Sequence, residues 1–128
     1  MVRPVRFRFD DFVLAPRQRV LLRNGTPVPL IPKYFDLIVL LVERRHDAVP
    51  KEAMFSTVWS DVIVSDGALA QAVRTLRRTL GDNSREPKFI RTVSRHGYQF
   101  VYAGVVEEAD DRRDGNVQQP GTKLGRLS

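Results

Sequence analysis

Between Leu69 and Leu80 the chain carries three arginines and no acidic residue. At about 100° per residue of a helix, Leu69, Ala72, Val73, Leu76 and Leu80 share one face. Gln71, Arg74, Thr75 and Arg78 lie on the opposite face, with Arg77 on the flank. These side chains suit base edges: arginine bonds bidentately to guanine, glutamine to adenine, and threonine meets a thymine methyl. A major groove is wide enough to admit the helix that carries them. A merely solvated helix tends to mix charge signs for pairing one turn apart, and this one does not. Downstream, Arg91, Arg95 and His96 lie beside or at a short turn, Ser94-Arg95-His96-Gly97. A basic turn of that kind suits a minor groove or a phosphate.

Charge supports the same chemistry. Lys+Arg number 21 against 15 Asp+Glu, a net of +6, and the pI is near 10.3. Residues 71–98 hold seven basic residues and two acidic ones, and such a local excess concentrates polyanions. Residues 1–105 carry 17 basic and 10 acidic residues, a net of +7, whereas residues 106–128 carry 4 and 5, a net of −1. Other chemistries lack raw material. There is no cysteine, and the two histidines, His46 and His96, are far apart in sequence. Thiolate and histidine metal centres and a Ser-His-Asp triad are therefore disfavoured. The paired carboxylates Asp10-Asp11 and Asp110-Asp111 have no partner base or ligand in the pattern. Neither an enzyme nor a cofactor is expected. The longest aliphatic run, Leu37 to Val42, is six residues, against about 20 for a membrane span. No apolar signal stretch follows Arg3, Arg6 and Arg8. A cytoplasmic segment without membrane contact is expected.

The elements that would position these residues are legible in outline. At 128 residues one domain is expected. Arg6-Phe7-Arg8-Phe9 alternates with strand period, Phe12-Val13-Leu14 continues it, and Arg19–Arg23 reads as a further strand. Asn24-Gly25 is a hairpin signal, and Thr26–Leu30 returns as an edge strand because of Pro27 and Pro29. Pro32 opens a helix whose Tyr34, Phe35, Ile38, Leu41 and Val42 are joined by Leu37, Val39 and Leu40, making it apolar nearly all round and central. Asp36 and Glu43 cap or solvate it. Pro50–Trp59 reads as a short helix with Met54, Phe55, Val58 and Trp59 inside, and Ser60–Asp66 as a loop. Ser65 or Asp66 caps the third helix and Gly81 ends it. Lys88–Val93 and Tyr98–Val101 read as a hairpin, with Tyr98 and Phe100 in the core. From 106 on, Glu107-Glu108, Asp110-Asp111 and Gln118-Gln119-Pro120-Gly121 read as a disordered tail or linker. The expected class is α+β: an N-terminal antiparallel sheet, three helices and a C-terminal hairpin.

Several stretches in this order resemble the winged-helix output domain of the OmpR/PhoB family of bacterial transcription regulators. They are Phe12-Val13-Leu14, Arg19-Val20-Leu21-Leu22-Arg23-Asn24-Gly25, Val28-Pro29-Leu30 with Pro32-Lys33-Tyr34-Phe35-Asp36-Leu37, and Lys51-Glu52 leading to Val58-Trp59. Val64-Ser65-Asp66, Val73 to Asp82, Ile90-Arg91-Thr92-Val93 and Gly97-Tyr98 complete the set. The position near the N-terminus, with no receiver domain ahead, is similar to the CadC/ToxR-like branch. The parent protein would then be membrane-tethered if the chain is a fragment.

The resemblance implies a winged helix-turn-helix over 1–105 that binds duplex DNA at the nucleoid and regulates transcription. Gln71, Arg74, Thr75 and Arg78 would face the major groove, and Arg77 would lie near the DNA backbone. The Ser94–Gly97 turn, with Arg91, Arg95 and His96, would form the wing at the minor groove or backbone. The loop holding Asp61, Val62, Ile63 and Val64 matches the segment that touches RNA polymerase in this family, and self-association on tandem or direct-repeat sites is a further implied partner relation. Three positions depart from the family pattern. Ile31 and Pro50 stand where helix-capping Thr and Ser are common, and Ser94 stands where some members have arginine. A second reading is a winged helix used for protein contacts alone.

Overall fold

The computed structural model describes residues 4–94 and 97–110. The N-terminal meander runs β1 (Val5–Phe9), β2 (Phe12–Ala15), β3 (Val20–Arg23) and β4 (Thr26–Pro27). Three helices follow: α1 (Pro32–Glu43), α2 (Lys51–Val58) and α3 (Asp66–Leu80), with β5 (Val49–Pro50) leading into α2. The strands β6 (Ile90–Val93), β7 (Gly97–Phe100) and β8 (Val106–Ala109) follow α3. Two antiparallel sheets result, one in the order β4-β3-β2-β1-β8 and one in the order β5-β7-β6. This is the expected α+β winged-helix class.

Local chemistry explains most boundaries. Asn24 and Gly25 both have positive φ, 50° and 81°, as a two-residue hairpin turn requires. β4 stops at Pro27 rather than reaching Leu30, because Pro29 has no N–H to extend the ladder. Neither Ile31 nor Pro50 gives its helix a side-chain cap. Pro50 instead closes β5, where Val49 pairs with Tyr98 and Pro50 with Gly97. The sequence reading placed Pro50 inside a helix. It is an edge-strand residue whose lost donor has little cost.

The core joins these parts. Leu37, Ile38, Leu41 and Val42 of α1 are buried, as are Leu69, Ala72, Val73, Leu76 and Leu80 of α3. Phe9 and Phe12 stack at 5.5 Å. Phe9 meets Phe100 edge-on at 5.1 Å, and Phe12 meets Phe89 at 5.9 Å. Such offset and edge contacts stabilise beyond their buried area, and here they fix the N-terminal sheet against the root of the β6–β7 hairpin.

The expected boundary at 105 is corrected by β8. Val106–Ala109 pairs antiparallel with β1, matching Arg6 with Glu108 and Arg8 with Val106. Glu108 takes ion pairs from Arg6 (2.7 Å) and Arg8 (3.3 Å), and Glu107 takes one from Arg45 (2.8 Å). Asp110 is buried, accepts from Gln18 Nε2 at 3.2 Å, and donates its backbone N–H to the Pro4 carbonyl. The acidic run that read as tail is thus a strand laid on basic β1. The remainder of the expected tail, 111–128, lies outside the described residues. Truncation after Val105 should therefore lower the melting temperature, by about 10 °C for a loss near 2 kcal/mol. A calorimetric scan showing no shift would remove β8 from the folded unit.

Candidate nucleic-acid interface

α3 is built for two different faces. Ser65 caps it, its hydroxyl accepting from the Ala68 N–H at 3.1 Å, while Asp66 supplies the first-turn negative charge that suits a helix N-terminus. Gly81 ends it in the left-handed conformation, φ 72°, with the Asp82 N–H bonded to the Arg77 carbonyl at 2.8 Å. Between these caps the apolar stripe is buried, and Gln71, Arg74 and Arg78 are exposed with Thr75 half-buried beside them. The structure brings three of the four together. Arg74 Nη1 donates to Gln71 Oε1, and Gln71 Nε2 lies 3.5 Å from Thr75 Oγ1. Among the described residues neither Arg74 nor Arg78 has a carboxylate partner. Two cationic groups and an amide therefore stand on one exposed face, with no carboxylate among the described residues bonded to them.

The hairpin is tied to this helix by two groups. Arg77, expected at the DNA backbone, bonds within the protein: Nε and Nη2 donate to the Ile90 carbonyl at 3.3 and 3.1 Å, and Nη2 donates to Thr92 Oγ1 at 2.9 Å. Its guanidinium also lies 5.9 Å from the Tyr98 ring centre. Asp82 is the second tie. Its carboxylate accepts the backbone N–H groups of Asn83 (2.9 Å), Lys88 (2.7 Å), Phe89 (3.2 Å) and Ile90 (2.8 Å). This explains why β6 starts at Ile90 instead of Lys88: the preceding amides are held by a side chain, not by a strand.

Strand alternation separates the remaining basic residues. Arg91 pairs with Gln99, and Thr92 with Tyr98, so Arg91 and Thr92 occupy opposite faces of the hairpin. Arg91 Nη2 donates to Gln99 Oε1 at 3.3 Å, and Gln99 Nε2 donates to the Arg45 carbonyl at 3.2 Å. Arg91 is exposed but does not join the α3 cluster. Arg95 and His96 lie outside the described residues. Ser94 takes the left-handed conformation at the turn, φ 52°. Gly97 is demanded by crowding rather than by the turn, since a Cβ there would overlap the Val49 carbonyl oxygen.

The loop between α2 and α3 is held at one end. Lys33 Nζ donates to the Val58 carbonyl at 3.0 Å and to Asp61 Oδ1 at 3.1 Å. The bond from Lys33 first, then Asp61's own backbone N–H and the Lys33 charge, hold the Asp61 carboxyl below the usual carboxylate range. Beyond that anchor Val62 is 51% exposed and Ile63 fully exposed. With Phe55, Trp59 and Val64 they line a shallow apolar depression.

A family model described as transcriptional regulatory protein, C terminal, matches residues 25–100. The chain belongs to this family. It is a transcription-regulator DNA-binding domain of OmpR/PhoB type, in a family of regulators and not of enzymes. This regulatory domain is 34% identical over 101 residues to the transcriptional regulator HilA of Salmonella typhimurium, covering 79% of this chain and 18% of that protein. It is 28% identical over 102 residues to the transcriptional activator CadC of Escherichia coli, covering 79% and 20%. The chain thus spans about a fifth of the length of these relatives. Among solved structures, the Klebsiella pneumoniae RstA DNA-binding domain in complex with RstA box superposes with a TM-score of 0.66 at 26% identity, over 76% of this chain and 97% of that one. The DNA-binding domain of E. coli CadC shares the fold, with a TM-score of 0.67 at 24% identity over 82% and 98% of the two chains.

Sequence reasoning passed over Asp82 and the inward bonding of Arg77. An aspartate directly after a helix-ending glycine, followed by Asn and Ser, is a side-chain capping signal that was available. Nothing local marks Arg77, whose partners lie 13 and 15 residues away. The Lys33–Asp61 tie gives a direct test. Because the Lys33 bond holds the folded pKa of Asp61 below its ordinary value, the pair's contribution is present above the unfolded pKa and lost as pH falls through the folded one. By NMR, the Asp61 carboxyl should titrate below the usual aspartate range and move back toward it in Lys33→Ala. An unshifted wild-type titration would show that the tie does not hold in solution.

Proposed function

We propose that this domain binds duplex DNA sequence-specifically and regulates transcription from it. In this reading α3 enters the major groove, and the β6–β7 hairpin meets the adjacent minor groove or backbone. The observation that carries it is the exposed α3 face of Gln71, Arg74, Thr75 and Arg78, which has the donors suited to base edges and, among the described residues, no carboxylate paired with its arginines. A protein-contact helix would gain nothing from presenting two guanidinium groups without a carboxylate partner. The solved complex of the similar RstA domain with its DNA box supports the same partner. Arg91 would act at the flank of the hairpin, with Arg95 and His96 at its turn. Occupation of tandem or direct-repeat sites by two copies belongs to the same proposal, as does a place in the cytoplasm on nucleoid DNA. Among the described residues no helix is long and apolar enough to cross a membrane.

A specific observation favours a protein contact in addition. Val62 and Ile63 are exposed beside the depression lined by Phe55 and Trp59, and Asp61 anchors the loop that presents them. We propose this apolar loop as the surface offered to RNA polymerase.

Two measurements test these readings. With duplexes selected from a random pool, binding should fall with salt at a log–log slope of about −4 to −5, for roughly 4–6 phosphates neutralised. Arg74→Ala or Arg78→Ala should cost about 1–3 kcal/mol at the selected site and relax preference at one base position. A slope near zero, or both variants keeping full preference, would refute the placement of α3. For the loop, a Val62→Ser/Ile63→Ser variant should keep duplex affinity within about twofold, since surface changes away from the groove shift energies by under about 0.5 kcal/mol. It should reduce transcription from a promoter carrying the selected site. Unchanged transcription would assign the loop no polymerase role.

A further inference from the structure

We infer that Arg77 is a positioning residue: it sets the β6–β7 hairpin against α3, so that helix and hairpin address DNA as one rigid unit. The inference rests on the proposed duplex binding and assigns Arg77 a place inside the protein instead of on a phosphate.

Three observations carry it. The first is topological. β6 is an edge strand, paired with β7 on one side only. An edge strand presents unpaired backbone groups, and the Ile90 carbonyl is one that Arg77 satisfies twice, through Nε and Nη2. The second is the shape of the donor. Nη2 bridges from the Ile90 carbonyl to Thr92 Oγ1, two residues on along the same face of the strand. A planar guanidinium offers donors in a fixed fork. It therefore fixes the direction of β6 and not only its distance from α3. An ammonium, as a single point of charge, would reach one of these acceptors and leave the strand free to rotate about it. The third is the neighbourhood. Arg77 lies over the Tyr98 ring, while Tyr98 is only 9% exposed and is matched with Thr92 across the hairpin. Both strands of the hairpin are thus contacted by one side chain from α3.

The consequence is geometric. Arg74 and Arg78 flank Arg77 on the same helix, and their spacing to the hairpin is fixed through Arg77 and, at the loop end, through Asp82. The loop bond leaves the hairpin a hinge at Ile90, because the Asp82 carboxylate bonds stop at the Ile90 N–H. Arg77 takes the Ile90 carbonyl and the next residue on that face, which closes the hinge.

The test compares wild type, Arg77→Ala, Arg77→Lys and Thr92→Val in the 128-residue chain. Without DNA, amide hydrogen exchange over Ile90–Val93 should quicken by about 10-fold in Arg77→Ala, the equivalent of one lost charged hydrogen bond. It should stay quickened in Arg77→Lys, with α3 amides unchanged. A phosphate ligand would leave exchange in the free protein unmoved. With the selected duplex, Arg77→Ala should lose hydroxyl-radical protection of the flanking minor groove while keeping methylation protection of major-groove guanines. Thr92→Val should show the same pattern more weakly. Exchange equal to wild type in Arg77→Ala would overturn the proposal. So would a uniform loss of affinity in Arg77→Lys with minor-groove protection retained. If wild type retains no duplex at all, the DNA reading falls with it. If duplex binding is intact and exchange alone is unchanged, only the positioning role falls.

Discussion

Asp82 stands where α3 ends and the chain turns toward the hairpin, and its carboxylate accepts four backbone N–H groups. Its own N–H closes the last turn of α3 on the Arg77 carbonyl. One residue therefore terminates the helix, folds the connecting loop and aligns the first amide of β6. Bonds from a carboxylate to N–H donors are among the stronger hydrogen bonds, and gathering several on one group couples their geometry. The aromatic cluster then has a fixed target: Phe89 is presented to Phe9, Phe12 and Phe100 by an amide already held in place. The N-terminal sheet and the hairpin meet where that carboxylate directs the chain.

This ordering explains the unequal treatment of the four arginines near the interface. Arg77 lies on the flank of α3 nearest β6 and is captured by it. Arg74 and Arg78 lie farther round the helix and remain exposed. Arg91 is on β6 itself, but strand alternation turns it toward Gln99 and the Arg45 loop. Position along the chain says little about these outcomes. The neighbouring element decides them.

Much of this was readable in the sequence because the signals are local. The Asn24-Gly25 turn, the Ser65 cap, the Gly81 stop and the apolar stripe of α3 each depend on residues within a few positions. The elements that were missed depend on distant partners. β5 exists because Val49 and Pro50 meet β7, and β8 because Glu108 meets Arg6 and Arg8. In isolation Val-Glu-Glu-Ala has the composition of a solvated segment, and only the arginines of β1 make it a strand. The exposed face of α3 was legible because it follows helical period, whereas the internal bonds of Arg77 were not, because its acceptors belong to another element.

The pairing of β1 with β8 also has a consequence in time. Arg6 and Glu108 are 102 residues apart, so on a growing chain β1–β4 are complete long before the strand that covers β1 has been made. Contacts of such separation form late. Throughout that interval the outer strand of the meander is an open edge, a template on which another nascent chain could pair. Arg6 and Arg8 sit on that edge. Before β8 arrives, their like charges repel a second copy of the same strand; afterwards they become its ion-pair partners. The same two side chains guard against aggregation during synthesis and select the correct strand when it emerges.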